Sequence, residues 1–434
     1  MAAPEEPMGI DLGWSQIKSK AIDVLLDQLQ KGFDQGAKPF DNKDYMEVYT
    51  ICYNLCTQRA PHNFSEQLYE YHGSTMTKYL GDHALPALQS RNGDFLLEEL
   101  IKRWKHHKVM NKWMKRFFTY LDRYYVKHHS HESLHRVGID AFKTEVYMHI
   151  RESIVEAMLD SIEKERNGEE VDHQQLKRCV AVFEIMGLGD MDCYINDFED
   201  ALLTKSEAHY NAKAATWMNT DDTPAYLIKA EAALQAEAQR VKHYLIGSTE
   251  PKLLSVCEKQ LLEVHQTELL ERETSGCAAL LKNNKVDDLT RMFALFGRLD
   301  EGLVPMAKIV EMYFMKCGKD LMDERKQAIE TSDSKKKESA SDPTLVRSLI
   351  DLHARCTGFG TFVLLFVCVL FVFCLFCFLL PVAFLSFFDE DFFLTFFFSF
   401  LLFSFSLLLL LIFFIYLSLQ LTINFKKNHY FKVH

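Results

Sequence analysis

The sequence predicts an all-α protein that ends in a hydrophobic tail. Residues 1–356 show one helical pattern after another, and they lack the alternation of apolar and polar residues that is typical of β-strands. Nine prolines fall in this part of the chain, most of them between helical patterns, where a proline can end a helix. A long series of helices joined by short loops is typical of an α-solenoid or of stacked helical bundles, which expose extended surfaces to partners.

The individual helices are predicted from runs in which apolar residues recur every three or four positions. They span residues 14–34, 43–59, 63–85, 94–105, 108–127, 134–165, 172–186, 191–218, 224–245, 251–273, 286–296, 304–328 and 343–354. The sequence contains no phosphate-binding loop, dinucleotide fingerprint or serine-hydrolase motif. It therefore favours a protein that presents surfaces over one that catalyses a reaction.

The helix predicted at 43–59 carries the most informative pattern. Four of its side chains share one stripe, at spacings of three or four residues: Tyr45, Tyr49, Cys52 and Cys56. Met46 and Tyr53 flank that stripe. A helix packed on one side needs only one apolar face, so this helix is either fully buried or offers its second face to a partner. Because tyrosine and methionine are enriched at interface centres, the second alternative predicts a binding surface.

A basic and aromatic stretch follows at residues 102–127. It holds nine lysines and arginines against one acidic residue, Asp122, and its aromatic residues recur at helical spacing. Such a helix can bind nucleic acid, but the whole chain has a net charge of -11, and no nucleic-acid-binding module is recognisable. The stretch therefore favours contact with an acidic protein, and nucleic acid is not an expected partner.

Residues 131–135, His-Glu-Ser-Leu-His, match the H-E-x-x-H motif of zinc peptidases. On a helix, His131 and His135 would share one face, and Glu132 would act as the general base. The third histidine of the extended motif would fall on Ala141, and the polar run before His131 is typical of the start of a helix. A zinc peptidase therefore remains a remote alternative, and no metal or other cofactor is expected.

The composition changes abruptly near residue 357. Of the 34 phenylalanines, 22 lie in the last 78 residues. Residues 358–388 contain no charged side chain, and after residues 389–391 the next charge is Lys426. Both blocks exceed the roughly 20 apolar residues that cross a bilayer, which predicts a membrane hairpin. Composition nevertheless favours a translated intron over such an anchor, because the abundant phenylalanine, leucine, valine, serine and cysteine have uridine-rich codons.

The eleven cysteines are scattered and form no recognisable disulfide framework. The first nine residues lack the basic and apolar segments of a secretory signal. Both observations predict reduced thiols in a cytosolic or nuclear protein.

Five stretches of residues 1–356 resemble the N-terminal half of a cullin, most closely the plant form of the class that builds SCF-type ubiquitin ligases. They begin with YMEVYT at 45–50 and IEKERNGE at 162–169. They continue with residues 230–249, with DLTRMF at 288–293 and DEGL at 300–303, and with residues 342–353. They occur in order along most of the chain, which makes the resemblance specific.

The resemblance implies an elongated stalk of three five-helix cullin repeats, at residues 1–150, 151–250 and 251–356, before the tail at 357–434. It implies a non-catalytic scaffold in ubiquitin-dependent protein degradation. Its first repeat would bind the acidic S-phase-kinase-associated adaptor with its F-box protein, through two helices that match the stretches described above. The contact residues carried over are Tyr45, Met46, Val48, Tyr49, Tyr53, Met110, Trp113, Arg116, Phe117 and Tyr120.

The sequence also departs from the family. A complete cullin continues into a C-terminal half that binds the RING-box subunit and carries the lysine that receives a ubiquitin-like modifier. After Cys356 the sequence resembles no such half. The RING-box subunit is therefore not an expected partner, and the chain is expected to bind the adaptor without recruiting the catalytic module. The resemblance implies a cytoplasmic and nuclear protein, and a membrane-anchored helical tether is the alternative if the tail inserts.

Overall fold

The computed structural model describes residues 7–31, 39–331 and 348. The regular elements of these residues are all helical, and the one β-type pairing within them is an isolated bridge between Leu188 and Asp190. The all-α prediction is confirmed for this part of the chain. The helix predicted at 343–354, apart from residue 348, and the tail at 357–434 lie outside the described residues.

The α-helices of the described residues follow one another closely along the chain. The first ten are α1 (Ile10–Ile17), α2 (Asp23–Lys31), α3 (Asn42–Thr57), α4 (Ser65–Tyr79), α5 (Leu85–Gln89), α6 (Gly93–Phe117), α7 (Thr119–Leu121), α8 (Lys127–His129), α9 (Leu134–Phe142) and α10 (Met148–Arg166). They are followed by α11 (His173–Met186), α12 (Asp192–Tyr194), α13 (Asp200–Thr220), α14 (Thr223–Tyr244), α15 (Thr249–Glu258), α16 (Gln266–Glu271), α17 (Cys277–Lys282), α18 (Val286–Phe296) and α19 (Leu303–Thr331).

Several consecutive helices are joined by single π-helical turns instead of loops. These turns span Lys18–Ile22, Leu80–Ala84, Asp122–Val126, Lys143–Tyr147, Ile195–Glu199 and Lys259–Glu263. The chain stays helical through each turn. For this reason the sequence predicts a single helix at residues 134–165, where the structure has α9, a π-turn and α10.

Two boundaries differ from the sequence prediction. The helices predicted at 94–105 and 108–127 are continuous in α6 as far as Phe117, because no glycine or proline separates them. Helix α17 was not predicted, since its six residues are too few to show a helical period.

Side-chain caps fix the start of several helices. The Asp41 carboxylate accepts a hydrogen bond of 2.8 Å from the Asp44 backbone N–H at the start of α3. The Ser133 hydroxyl accepts one of 3.3 Å from the Arg136 backbone N–H at the start of α9. Each cap satisfies a donor that has no partner within its helix, and therefore sets the register of the helix.

The chain divides into two compact units. The first comprises Met1–Thr216 and Ala232–Leu261, and the second comprises Trp217–Glu231 and Leu262–His434. The first unit has a continuous core of aliphatic and aromatic side chains. The described part of the second unit buries Leu269, Met292 and Phe296, among others. The division into three repeats at residues 150 and 250 stays a prediction.

A buried ionic network links α10, α13 and α14 within the first unit. Arg166 donates to the Glu237 carboxylate through Nε and Nη2, at 2.9 and 3.2 Å. Arg240 donates a further bond of 2.7 Å, and the Tyr210 hydroxyl donates another. Burial of the carboxylate opposes its ionisation, but the arginines and the tyrosine outweigh burial and hold the pKa of Glu237 below its usual value. The network therefore stays charged, with its carboxylate ionised.

Candidate protein-interaction surface

The two stretches singled out in the sequence lie against each other in the first unit. The Tyr45 hydroxyl of α3 donates a hydrogen bond of 3.4 Å to the backbone carbonyl of Arg116 in α6. The Tyr45 ring also stacks on Phe117, with 6.2 Å between the ring centroids. Segments 71 positions apart in the chain therefore form one surface.

A row of five tyrosines, which we name the tyrosine ladder, runs across this surface. It consists of Tyr45, Tyr49 and Tyr53 from α3, Tyr120 from α7, and Tyr124 from the π-turn that follows. Consecutive ring centroids are 6.1, 6.4, 5.0 and 4.5 Å apart. Tyr53 and Tyr124 are 41% and 58% exposed, and the other three are half-buried. The ladder is therefore an ordered aromatic surface that faces solvent.

Helix α3 resolves the two alternatives left open by its sequence pattern. Its inner face buries Val48, Ile51, Cys52, Leu55 and Cys56. Its outer face carries the ladder tyrosines and Met46, which is 52% exposed. Helix α3 is therefore not fully buried: its outer apolar face contacts α6 and α7, and part of that face is open to solvent.

Arg116 joins the two helices at the Tyr45 end of the ladder. Its guanidinium carbon lies 4.6 Å from the centre of the Trp113 ring and 5.1 Å from that of the Tyr45 ring. Cation–π attraction to both rings holds this exposed side chain in place. These two contacts hold the positive charge of Arg116 beside the aromatic rings.

Two groups of the surface, the Tyr120 hydroxyl and the Cys56 thiol, have raised pKa values that favour their neutral forms. Partial burial, followed by the neighbouring tyrosines Tyr53 and Tyr124, raises the pKa of Tyr120. Burial likewise raises the pKa of the Cys56 thiol below the ladder to about 11. The surface therefore offers ring faces, hydroxyl donors and a thioether, without an activated nucleophile.

The structure divides the predicted contact residues into two sets. Those with accessible side chains are Tyr45, Met46, Tyr49, Tyr53, Arg116 and Tyr120. Val48, Met110, Trp113 and Phe117 are buried, with at most 6% of their surface exposed. The last three face the interior because α6 packs against α3, α9, α10 and α11. In the structure these four side chains belong to the core beneath the surface, and their contact with a partner stays a prediction.

Two features of the surface were not among the predicted contact residues. Tyr124 extends the ladder by one ring, and its four-residue spacing from Tyr120 was the available signal. Lys112 and Lys115 are exposed on α6 beside the buried Trp113. They belong to the basic stretch recognised in the sequence, whose exposed face the sequence alone did not define.

The H-E-x-x-H residues do not share a helix. Helix α9 begins at Leu134, after its cap Ser133, so His131 and Glu132 precede it. The His131 ring stacks on Tyr69 at 5.1 Å, and the Tyr69 hydroxyl donates a bond of 3.0 Å to the Glu132 carbonyl. The described residues contain no group of three His, Cys, Asp or Glu side chains that could hold a metal ion. The helical geometry that the zinc-peptidase alternative requires is therefore not formed.

The described residues also bear on the membrane and disulfide predictions. In residues 7–31 and 39–331, no helix is both long and apolar enough to cross a bilayer. The tether alternative therefore rests on residues 357–434, which lie outside the described residues. The cysteines of the described ranges are free, and five of the seven are buried.

Comparison with known sequences gives one consistent family. A family model described as the cullin alpha solenoid domain matches residues 14–362. Cullin-1 of Oryza sativa subsp. japonica is 40% identical over 366 residues, which cover 83% of this chain and 48% of the relative. Cullin-2 of Arabidopsis thaliana is 37% identical over 352 residues, which cover 80% of this chain and 46% of the relative.

A shorter relative matches along most of its own length. The putative cullin-like protein 2 of Arabidopsis thaliana is 33% identical over 345 residues, or 79% of this chain and 87% of the relative. By contrast, the chain spans about half the length of Cullin-1 and Cullin-2. The family match ends at residue 362, close to the change of composition seen in the sequence.

Proposed function

This chain belongs to the cullin family, and we propose that it acts as a non-catalytic scaffold of an SCF-type cullin–RING ubiquitin ligase. Its tyrosine ladder would bind the acidic S-phase-kinase-associated adaptor that carries an F-box substrate receptor. The F-box protein would then choose the substrates, and the chain itself would take no part in the chemistry. By family resemblance it would work in the cytoplasm and nucleus.

The tyrosine ladder is the observation that supports this proposal. Interface centres are enriched in tyrosine, tryptophan, methionine and arginine, and a few such side chains supply most of the binding energy. Here five tyrosines, Met46 and Arg116 share one surface, although α3 has already buried a complete apolar face elsewhere. An apolar face that the fold does not use for its own core is available to a partner.

The ladder is also ordered before any partner arrives. Consecutive rings contact one another in stacked, tilted or edge-to-face arrangements, and the Arg116 guanidinium contacts two aromatic rings. Side chains that are already fixed lose little conformational entropy on binding, so more of the contact energy contributes to affinity. The exposed lysines beside Arg116 match the negative charge of the proposed adaptor.

The test is calorimetric titration of a purified adaptor–F-box pair into the full 434-residue chain. We expect Met46→Ala with Tyr49→Ala to weaken binding by at least ~2 kcal/mol, or about 30-fold, because both accessible side chains are of types enriched at interface centres. The matched control is Met148→Ala with Met312→Ala, two methionines that are 48% and 62% exposed elsewhere. The control should bind like the unmodified chain.

Two results would contradict the proposal. Equal affinity of the ladder variant and the unmodified chain would move the binding site away from α3. Absence of binding by the unmodified, folded chain would reject the scaffold function itself.

A further inference from the structure

The outer face of α6 carries a row of positive charges, which we name the basic ridge. Its exposed members are Lys102, Lys105, Lys108, Lys112, Lys115 and Arg116. They recur at steps of three or four residues, apart from the adjacent last pair, so they follow one side of the helix. From first to last the ridge is about 21 Å long at 1.5 Å per residue. It begins away from the tyrosine ladder and ends at Arg116, which contacts it.

The ridge lysines are not neutralised by the part of the protein that the structure describes. Arg103, beside the ridge, forms an ion pair of 2.6 Å with Glu99. Lys108 lies over the Trp104 ring at 5.8 Å. The other ridge lysines form no ion pair with a described side chain; they are Lys102, Lys105, Lys112 and Lys115.

Two ridge lysines, Lys102 and Lys105, lie close enough to the buried His106 to influence its pKa. His106 is buried on the same helix. Burial lowers the pKa of its imidazole, and the charges of Arg103, Lys102 and Lys105 lower it further. The charge of Glu99 acts in the opposite direction. The six exposed basic residues are a local concentration of positive charge within a chain whose net charge is -11.

We propose that the basic ridge binds an acidic polypeptide segment of the same partner that occupies the tyrosine ladder. This inference rests on the proposed function and adds a second contact to it. A ridge of about 21 Å matches roughly six residues of extended chain, at about 3.3 Å per residue. The segment would lie along α6 and enter the ladder at Arg116.

An acidic polypeptide fits this surface better than nucleic acid does. Nucleic-acid sites combine their positive charge with a favourable field over the wider surface, because the phosphate backbone is long and uniformly charged. Here the basic stretch is short and belongs to a chain whose net charge is -11.

The expected contribution of the ridge is to the rate of association. Exposed lysines are strongly hydrated and form weak individual ion pairs, so they add little to the lifetime of a complex. Their summed field attracts an opposite charge over about a Debye length, and such steering raises association rates by 10-fold or more at low ionic strength. The ladder then governs dissociation through its buried aromatic contacts.

The test is stopped-flow association of the full chain with the adaptor–F-box pair at low and high salt. The ridge variant is Lys105→Glu with Lys112→Glu, two exposed residues that lie outside the ladder. The control is Lys177→Glu with Lys242→Glu, which changes the net charge equally on exposed sites elsewhere. We expect the ridge variant to associate about 10-fold more slowly at low salt, with a weaker salt dependence, and the control to stay within about twofold of the unmodified chain.

A second measurement separates this inference from the proposed function. Fluorescent hexaglutamate and a single-stranded DNA 12-mer are each titrated into the three proteins. Binding of hexaglutamate that is lost in the ridge variant alone supports the ridge as an acidic-peptide site, even if the adaptor pair fails to bind and the proposed function falls. Equal association rates for ridge and control variants would overturn the inference and leave the scaffold function intact. Preferential binding of the DNA would overturn it in favour of nucleic acid.

Discussion

His72 predicts a specific acid sensitivity of the core that lies behind the ladder. Its ring is fully buried in α4, next to Phe118 at 5.8 Å between ring centroids. Neither ring nitrogen has a hydrogen-bond partner among the described residues. Burial lowers the pKa of His72 from its usual 6.5 to about 4, although the charge of Asp122 acts in the opposite direction. The folded protein therefore holds this imidazole in its neutral form.

The sign and size of the effect follow from proton linkage. Below pH 6.5 the unfolded chain binds a proton at His72 that the folded chain does not bind, so stability falls as the pH decreases towards 4. The two pKa values correspond to a maximum loss of about 3 kcal/mol, of which about 2 kcal/mol is reached at pH 5. Above pH 6.5 the contribution of His72 is independent of pH.

The perturbation is His72→Leu, which removes the titrating group and fills a similar space. We expect the variant to be at least as stable as the unmodified chain at pH 7.5, because a buried ring without hydrogen bonds is lost. At pH 5 the variant should gain about 2 kcal/mol relative to the unmodified chain. The variant should retain the acid sensitivity of His107, whose pKa burial lowers to about 4 and whose Nε2 lies 2.8 Å from the Gly138 carbonyl oxygen.

Hydrogen exchange of peptides from α4, followed by mass spectrometry and corrected for intrinsic rates, measures this local stability. His149→Leu is the control, because His149 is exposed. If the exchange of α4 in His72→Leu kept the pH dependence of the unmodified chain, the desolvation argument would be refuted.

Three further predictions concern the packing of the first unit. A Cβ at Gly138 would lie 2.4 Å from the Asn111 Oδ1 atom, so Gly138→Ala should cost about 1–3 kcal/mol in the free energy of unfolding, and the added change Asn111→Ala should recover part of that loss in urea titrations. Arg166→Met leaves the buried Glu237 with one arginine fewer and should lower the free energy of unfolding by about 3 kcal/mol or more. Arg166→Met combined with Glu237→Leu should lower it clearly less. A double variant as unstable as the single one would contradict this. Ser133→Ala removes the cap of α9 and should cost about 1 kcal/mol, with faster hydrogen exchange confined to the first turn of that helix.

The helices were predictable because each signal is local. The apolar periodicity of residues 43–59 and 172–186, together with capping side chains such as Asp41 and Asp172, is visible along a single segment. The two stretches that build the ladder were recognised for the same reason, since aromatic residues recur in each of them at helical spacing.

What the sequence did not reveal depends on contacts between distant segments. Met110 and Phe117 are of residue types that are common at interfaces, but the same apolar types are equally common in protein cores, where these two lie. Only the packing of α6 on its neighbours decides which of its faces is buried. The position of Arg116 between Trp113 and Tyr45 likewise requires the tertiary arrangement of two helices.

The H-E-x-x-H match differs from these cases, because the motif is present in the sequence but does not lie on one helix. The motif requires both histidines on one helix. A serine within the motif is also a preferred helix cap, and Ser133 takes that role, so the helix starts between the two histidines. Reading the serine as a cap would have predicted this outcome from the sequence.

The tyrosine ladder has a consequence for how the molecule can be observed. It holds five of the 17 tyrosines of the chain in one packed row. Aromatic rings in fixed, asymmetric surroundings produce near-ultraviolet circular dichroism, which disappears when packing loosens even while the helices persist. Separation of α3 from α6 would therefore reduce the near-ultraviolet circular dichroism before the far-ultraviolet spectrum changed. The protein thus carries an intrinsic optical reporter of the state of its own surface, without any attached label.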